Sequence, residues 1–137
     1  MELLPGYIKR KNGKESIVYD HPLLEPILRE TYGVFVYQEQ VIRAANVLAG
    51  YSLGQADLLR RAMGRKKALV LDRARVRFVE GCAMVNQIPN QLAESIFDHI
   101  AAGAGYTFCK AHAVGYGLIA YQMAYLKANY AAEFVAV

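Results

Sequence analysis

Cysteine is scarce in this 137-residue chain. Only Cys82 and Cys109 occur, too few for a disulfide framework or for the four ligands of a structural zinc site, so both are expected as free thiols in a reducing compartment. No cationic stretch followed by an apolar run opens the chain, and no signal peptide is expected. A membrane span is missing as well. Residues 111–126 carry no Lys, Arg, Asp or Glu, but the run is 16 residues long and contains His112, Gln122 and three tyrosines, whereas a span takes ~20 apolar residues. It reads as a buried helix of a core. The three histidines, His21, His99 and His112, are far apart, and no Asp-x-Asp pair suited to Mg²⁺ occurs. Gly64-Arg65-Lys66-Lys67 lacks the glycine before it and the Ser/Thr after it that a phosphate-cradling loop requires. Nothing here suggests a hydrolytic or metal centre. With 55% hydrophobic and 20% charged residues, wholesale disorder is excluded. These bounds describe a soluble, cytoplasmic, single-domain chain with no membrane partner.

Positive charge is present and unevenly placed. The net charge is only +4, yet Arg60, Arg61, Arg65, Lys66, Lys67, Arg73, Arg75 and Arg77, eight of the sixteen Lys and Arg, fall within 18 residues opposed by Asp72 alone. Lys9, Arg10, Lys11 and Lys14 form a smaller cluster. Such concentration favours a polyanionic partner; the plainer alternative is a solvated helix face.

Periodicity and breakers predict a mostly α architecture in one piece, residues 1–137. Residues 1–20 look irregular or hairpin-like, with Asn12-Gly13 as the turn. A short helix is expected from Pro22 to Glu30, stopping before Gly33, and residues 34–37 form a β-prone run too short to classify. Val41, Ala45, Leu48 and Ala49 mark a helix over 38–49, with Gly50 as its stop. Ser52 caps a helix carrying Leu58, Leu59, Ala62 and Met63 that ends at Gly64. Leu69, Val76, Val79 and Ala83 form the stripe of an amphipathic helix over 68–86. Pro89 opens a helix through Ala102, a glycine-bearing loop Gly103-Ala104-Gly105 follows, and a long helix runs from about Lys110 to Asn129. A last turn or helix covers 131–137.

Two constellations carry candidate chemistry. In the first, Arg60 and Arg61 precede a glycine break, and Arg65, Lys66 and Lys67 follow it. Like charges at i,i+4 spacing, Arg73 and Arg77 among them, repel by ~0.2–0.5 kcal/mol per pair, and a bound polyanion turns that repulsion into attraction. Guanidinium forks grip phosphate oxygens bidentately, and Lys acts as a point charge. Solubility or compensation of the helix dipole is the alternative. In the second, Lys110 sits in the first turn of a helix, where free N–H groups favour an anion. His112 and Tyr116 follow on one face, placed to hold phosphate oxygens and stack on a base. The alternative there is a satisfied core histidine beside a tyrosine.

Several stretches together resemble a known family. They are Tyr7-Ile8-Lys9-Arg10-Lys11, Thr31-Tyr32-Gly33, Tyr37-Gln38-Glu39-Gln40-Val41, Ala49-Gly50-Tyr51-Ser52-Leu53-Gly54, Ala56-Asp57-Leu58-Leu59-Arg60-Arg61-Ala62-Met63-Gly64, Ala104-Gly105-Tyr106, Lys110, His112, Tyr121-Gln122 and Tyr125-Leu126-Lys127-Ala128. In this order they resemble the fingers region of the alpha subunit of bacterial DNA polymerase III, the C-family replicative polymerase. The resemblance covers essentially the whole chain. It implies a multi-helix fingers domain that serves template-directed nucleotidyl transfer: the primer 3′-hydroxyl attacks the α-phosphate of a dNTP and pyrophosphate leaves.

By motif position the resemblance implies triphosphate contact by Arg60, Arg61, Lys110 and His112, contact to the nucleotide's sugar or base by Tyr116, and phosphate contact also by Lys66 and Lys67. Arg65, Arg73 and Arg77 are expected to face DNA. The Mg²⁺ ions that would assist the transfer belong to palm-domain aspartates absent from this chain, so no catalytic or metal-binding residue is expected within it. The partners implied are primer–template DNA, dNTP, the remainder of the alpha subunit and the holoenzyme. Met1 entering inside the fingers reads as an excised fragment or truncated frame, expected to have no polymerase activity alone.

Departures accompany the resemblance. Phe108-Cys109-Lys110-Ala111-His112 stands where the family reads Phe-Asn-Lys-Ser-His, losing two hydrogen-bonding side chains. Ala68-Leu69-Val70-Leu71 follows the Lys pair where the family has proline and acidic residues, and Ala131 replaces a usual proline. They fit a divergent or error-prone paralogue, or a degraded copy. A non-catalytic basic helical DNA-binding module and a partner-binding helical domain are the competing readings.

Overall fold

Val41, Ala44, Ala45 and Leu48 recur at three- and four-residue spacing, the pattern that turns one helix face into a core. All four are completely buried. The computed structural model describes residues 3–64, 68–104 and 107–136. Its helices are α1 (Leu3–Lys11), α2 (Glu25–Leu28, with 3-10 turns Pro22–Leu24 and Arg29–Thr31 on either side), α3 (Gln38–Ala49), α4 (Leu53–Gly64), α5 (Ala68–Asn86), α6 (Asn90–Ala104), α7 (Lys110–Asn129) and α8 (Ala131–Val135). No strand occurs among the described residues, as expected of a mostly α chain. Contacts group the chain into two compact units, Met1–Thr107 and Phe108–Val137.

In the first unit α3 is the hub, packed on α2, α4, α5 and α6. Its small residues let α5 approach closely: a methyl group built on Gly81 would collide with the Ala49 carbonyl oxygen and stand 3.0 Å from the Ala49 Cβ. The contact is locked by Asn86, whose Nδ2 donates at 2.8 Å to the carbonyls of both Val47 and Leu48 in the last turn of α3, where helical carbonyls lack helical donors. Phe78 of α5 meets Phe97 of α6 with ring centroids 5.6 Å apart, and both rings are buried.

Gln40 binds the entry segment to this hub. It is buried; its Oε1 accepts from the N–H groups of Val36 and Tyr37 at 2.9 Å, and its Nε2 donates to Thr31 Oγ1 at 2.8 Å and to the Ile27 carbonyl at 3.2 Å. One amide thus satisfies four groups and explains why residues 34–37, though β-prone, remain a short extended connection.

Three details of the sequence reading are corrected. Residues 3–11, expected to be irregular or hairpin-like with the rest of 1–20, are helical. Asn12-Gly13 closes that helix: Gly13 has φ 69°, Lys14 N–H donates to the Lys9 carbonyl at 2.8 Å, and Asn12 Nδ2 donates to the Ile8 carbonyl at 2.9 Å. A left-handed glycine serves a helix end as well as a hairpin. On α4 and α5 the buried faces are Ala56, Leu59, Met63 and Phe78, Val79, Cys82, whereas Leu58 and Val76 are exposed. Both helices carry apolar residues on more than one face, so periodicity alone left the choice of stripe to the packing partner. Gly103 and Ala104 belong to the last turn of α6 rather than to a loop; Gly105 and Tyr106 lie outside the described residues.

Other boundaries hold. Ser52 and Gln55 form a reciprocal cap at the start of α4: Ser52 Oγ accepts from the Gln55 N–H at 3.3 Å, and Gln55 Oε1 accepts from the Ser52 N–H at 3.1 Å. Gly50, at φ 68°, terminates α3, and the Pro89 carbonyl accepts the first bond of α6 from Ala93.

The second unit consists of α7 and α8, with Tyr125 and Tyr130 at 6.4 Å between ring centroids. The run 111–126, expected to be a buried helix, is helical but not buried. Val114, Tyr116, Leu118, Ile119, Tyr121, Met123, Tyr125 and Leu126 are all exposed. Apolar side chains surround this helix on every side and would require cover on every side, which one five-residue helix does not supply.

Candidate nucleotide and nucleic-acid interface

Asp57 lies three and four residues before Arg60 and Arg61, so the three side chains share a helix face. Asp57 Oδ1 receives the Arg60 Nε at 3.0 Å and its Nη2 at 2.9 Å; Oδ2 receives the Arg61 Nε at 2.8 Å. Arg61 is exposed and Arg60 only partly so, while Leu59 and Met63 anchor the helix in the core. The hydrogen bond from Arg60, reinforced by the charges of both arginines, holds the Asp57 carboxyl below its ordinary value against the opposing effect of desolvation.

The α5 cations divide into three situations. Arg75 forks onto Asp98 of α6 and lies over the Phe97 ring at 5.1 Å; the Asp98 hydrogen bond raises its pKa. Arg77 lies over the Tyr51 ring at 5.0 Å. Burial raises the pKa of Tyr51, the nearby Arg77 charge opposes this, and the buried hydroxyl has no partner among the described residues. Arg73 is exposed and forms no ion pair among the described residues. Arg65, Lys66 and Lys67 lie outside the described residues.

The positive cluster is therefore less naked than a window from residue 60 to 77 suggests. Its counter-charges, Asp57 and Asp98, stand outside that window in sequence. Asp57 was legible from its i,i+3 and i,i+4 spacing to the arginine pair; Asp98 was not, because helix packing brings it to Arg75.

In the second unit Lys110 is the first residue of α7, after Cys109 in the N-cap position with no side-chain cap. His112 and Tyr116 meet as their spacing predicts, with ring centroids 4.6 Å apart and planes at 50°. Both are exposed, so neither is a core residue. Arg60, Arg61, Arg73 and Arg77 thus belong to one unit and Lys110, His112 and Tyr116 to the other. Among the described residues no group of three or more His, Cys, Asp or Glu is placed to hold a metal ion. No helix among them is long and apolar enough to cross a membrane.

The described residues form a helical core that carries a carboxylate-anchored arginine pair on α4. Residues 1–86 match the bacterial DNA polymerase III alpha subunit finger domain, and the chain belongs to that family. It is 52% identical over 136 residues to the DNA polymerase III subunit alpha of Chlamydia trachomatis, 57% over 135 residues to that of Rickettsia bellii, and 50% over 136 residues to that of Caulobacter vibrioides. These matches cover 98–99% of this chain but only 11–12% of each relative; the chain spans about a ninth of their length.

Proposed function

We propose that this chain forms the part of a replicative DNA polymerase that meets the incoming dNTP and the nascent base pair. The observation that carries the reading is the Asp57-anchored pair Arg60 and Arg61 on α4, inside the family-matched residues. Guanidinium N–H groups suit phosphate oxygens, and charge that develops on the leaving pyrophosphate is stabilised by cations already in place. Arg60 and Arg61 bind the triphosphate, Lys110 and His112 supply further phosphate contacts from the start of α7, and Tyr116 offers a ring to the sugar or base. Lys66 and Lys67 add phosphate contacts, and Arg65, Arg73 and Arg77 face DNA. The chemistry is template-directed nucleotidyl transfer in DNA replication, in the cytoplasm, with primer–template DNA, the rest of the alpha subunit and the holoenzyme as partners. Mg²⁺ would be held by carboxylates of the rest of the alpha subunit, where it would assist the attacking and leaving oxygens. The 137-residue chain alone accordingly has no polymerase activity; Mg²⁺-dependent primer extension by the purified chain would refute that.

The experiment is a titration with dATP followed by tyrosine fluorescence. Quenching is expected, with affinity reduced about tenfold or more in Arg61→Ala and His112→Ala. Steeply salt-dependent duplex binding without nucleotide preference would instead favour a non-catalytic DNA-binding module.

A further inference from the structure

The geometry points to Asp57 as a positioning residue: it holds one edge of both the Arg60 and Arg61 guanidinium groups and turns two mutually repelling cations into a single oriented receptor for phosphate. This rests on the reading of Arg60 and Arg61 as phosphate contacts.

Consecutive residues on an α-helix diverge by about 100°, so two adjacent arginines left alone splay apart, and their like charges add to the divergence. Asp57 draws them together because its oxygens reach both the i+3 and the i+4 position. The edges used are the informative detail. Arg60 commits its Nε and Nη2 to Oδ1, and Arg61 commits its Nε to Oδ2. A guanidinium has five N–H donors in a planar fork, so a carboxylate on the inner edge leaves outer Nη donors on each group. Neither arginine forms another ion pair among the described residues. Carboxylate and phosphate thus occupy different edges of the same guanidinium and do not compete for one. The Arg60 and Asp57 side chains are 20% and 31% exposed, and Arg61 is 60% exposed. The anchored end is partly shielded from water and the more open arginine faces outward, a graded arrangement that suits orientation better than simple charge balance.

Positioning and charge balance predict opposite signs. If Asp57 only cancels charge, removing its charge raises the local positive potential and tightens anion binding. If it orients the forks, removing it costs affinity despite the added positive charge.

The test measures binding of dATP, with inorganic triphosphate as competitor, to the 137-residue chain and its Asp57→Asn, Asp57→Glu, Arg60→Ala and Arg61→Ala variants at low and high salt. Circular dichroism serves as the folding control. Asp57→Asn is expected to weaken both ligands about five- to tenfold at either salt, and Asp57→Glu to recover most of the loss. Without ligand, the Arg60 and Arg61 Nε–H resonances should be protected from exchange in the parent chain and in Asp57→Glu but lost in Asp57→Asn. Tighter binding by Asp57→Asn with a steeper salt dependence would overturn the inference. So would unchanged binding by Asp57→Asn when Arg60→Ala and Arg61→Ala both weaken it; the phosphate reading would then stand without a positioning role for Asp57. Unchanged binding by both arginine variants, or none by the parent chain, would overturn the phosphate reading itself.

Discussion

Helices α3 and α7 are both rich in apolar residues, yet one is the core of its unit and the other lies in the open. Val41, Ala44, Ala45 and Leu48 are completely buried, while Val114, Leu118, Ile119 and Tyr121 are all more than half exposed. The difference lies in the neighbours. Helix α3 has polar residues on its outer side and four elements against its inner one. Helix α7 is apolar all round, and only α8 belongs to its unit. An apolar helix states a demand for cover; other chain segments must meet it.

The contrast can be broken or sharpened by experiment, and the two cysteines should give the largest effect. Cys82 on α5 is completely buried, and burial pushes its thiol up to about 11; Cys109, just before α7, is exposed. At neutral pH a thiol reagent should label one cysteine per native chain and two in denaturant, with Cys82 protected roughly a thousandfold or more because reaction requires opening of the core. Rapid native labelling of both would mean that the first unit is not packed as described.

Side-chain truncation comes next. Leu48→Ala should cost about 3–5 kcal/mol in denaturant unfolding, because it empties a fully enclosed position, whereas Leu118→Ala should remain within about 0.5 kcal/mol. Equal losses would show that α7 is covered after all.

Glycines extend the comparison to the backbone. Gly81→Ala should destabilise by about 1–3 kcal/mol through its clash with Ala49. Gly115→Ala meets nothing within 4 Å on α7, and should stabilise by about 0.5–1 kcal/mol through helix propensity alone.

The smallest effect concerns pH. The Asp57 carboxyl is held below its ordinary 3.8, so the stability it contributes is present above that value and is lost as pH falls through the lower folded value. Asp57→Asn should therefore flatten acid unfolding slightly below about pH 4 and leave the neutral-pH curve shape unchanged, as acid titration by circular dichroism would record.

Much of the first unit was legible because short-range rules govern it. The end of α3 follows from Gly50 and the start of α4 from the Ser52–Gln55 cap, each acting within a turn of the helix. Asn12-Gly13 misled because a left-handed glycine ends a helix as readily as it turns a hairpin. Val76 and Leu58 misled because apolar residues occupied competing stripes, and the choice fell to packing: α5 meets α3 at Gly81, and α4 turns Leu59 and Met63 to the core. The role of Gln40 was hidden: nothing in a glutamine's local sequence says that it will bridge Ile27, Thr31, Val36 and Tyr37.

At the candidate site, the facing of His112 and Tyr116 followed from helical spacing; the link of Asp57 to Arg60 and Arg61 obeys the same spacing but escapes a count of charge that begins at residue 60. The pairing of Arg75 with Asp98 and the lodging of Arg77 over Tyr51 did not follow from spacing, since each joins residues more than twenty positions apart.

Helix content, most helix ends and the same-face neighbours are properties of the chain read locally, since backbone hydrogen bonding and side-chain spacing act over three or four residues. Which stripe of a helix is buried, which cations are neutralised and whether an apolar helix finds cover were decided only when distant segments met, because burial and charge pairing depend on distance in space rather than along the chain.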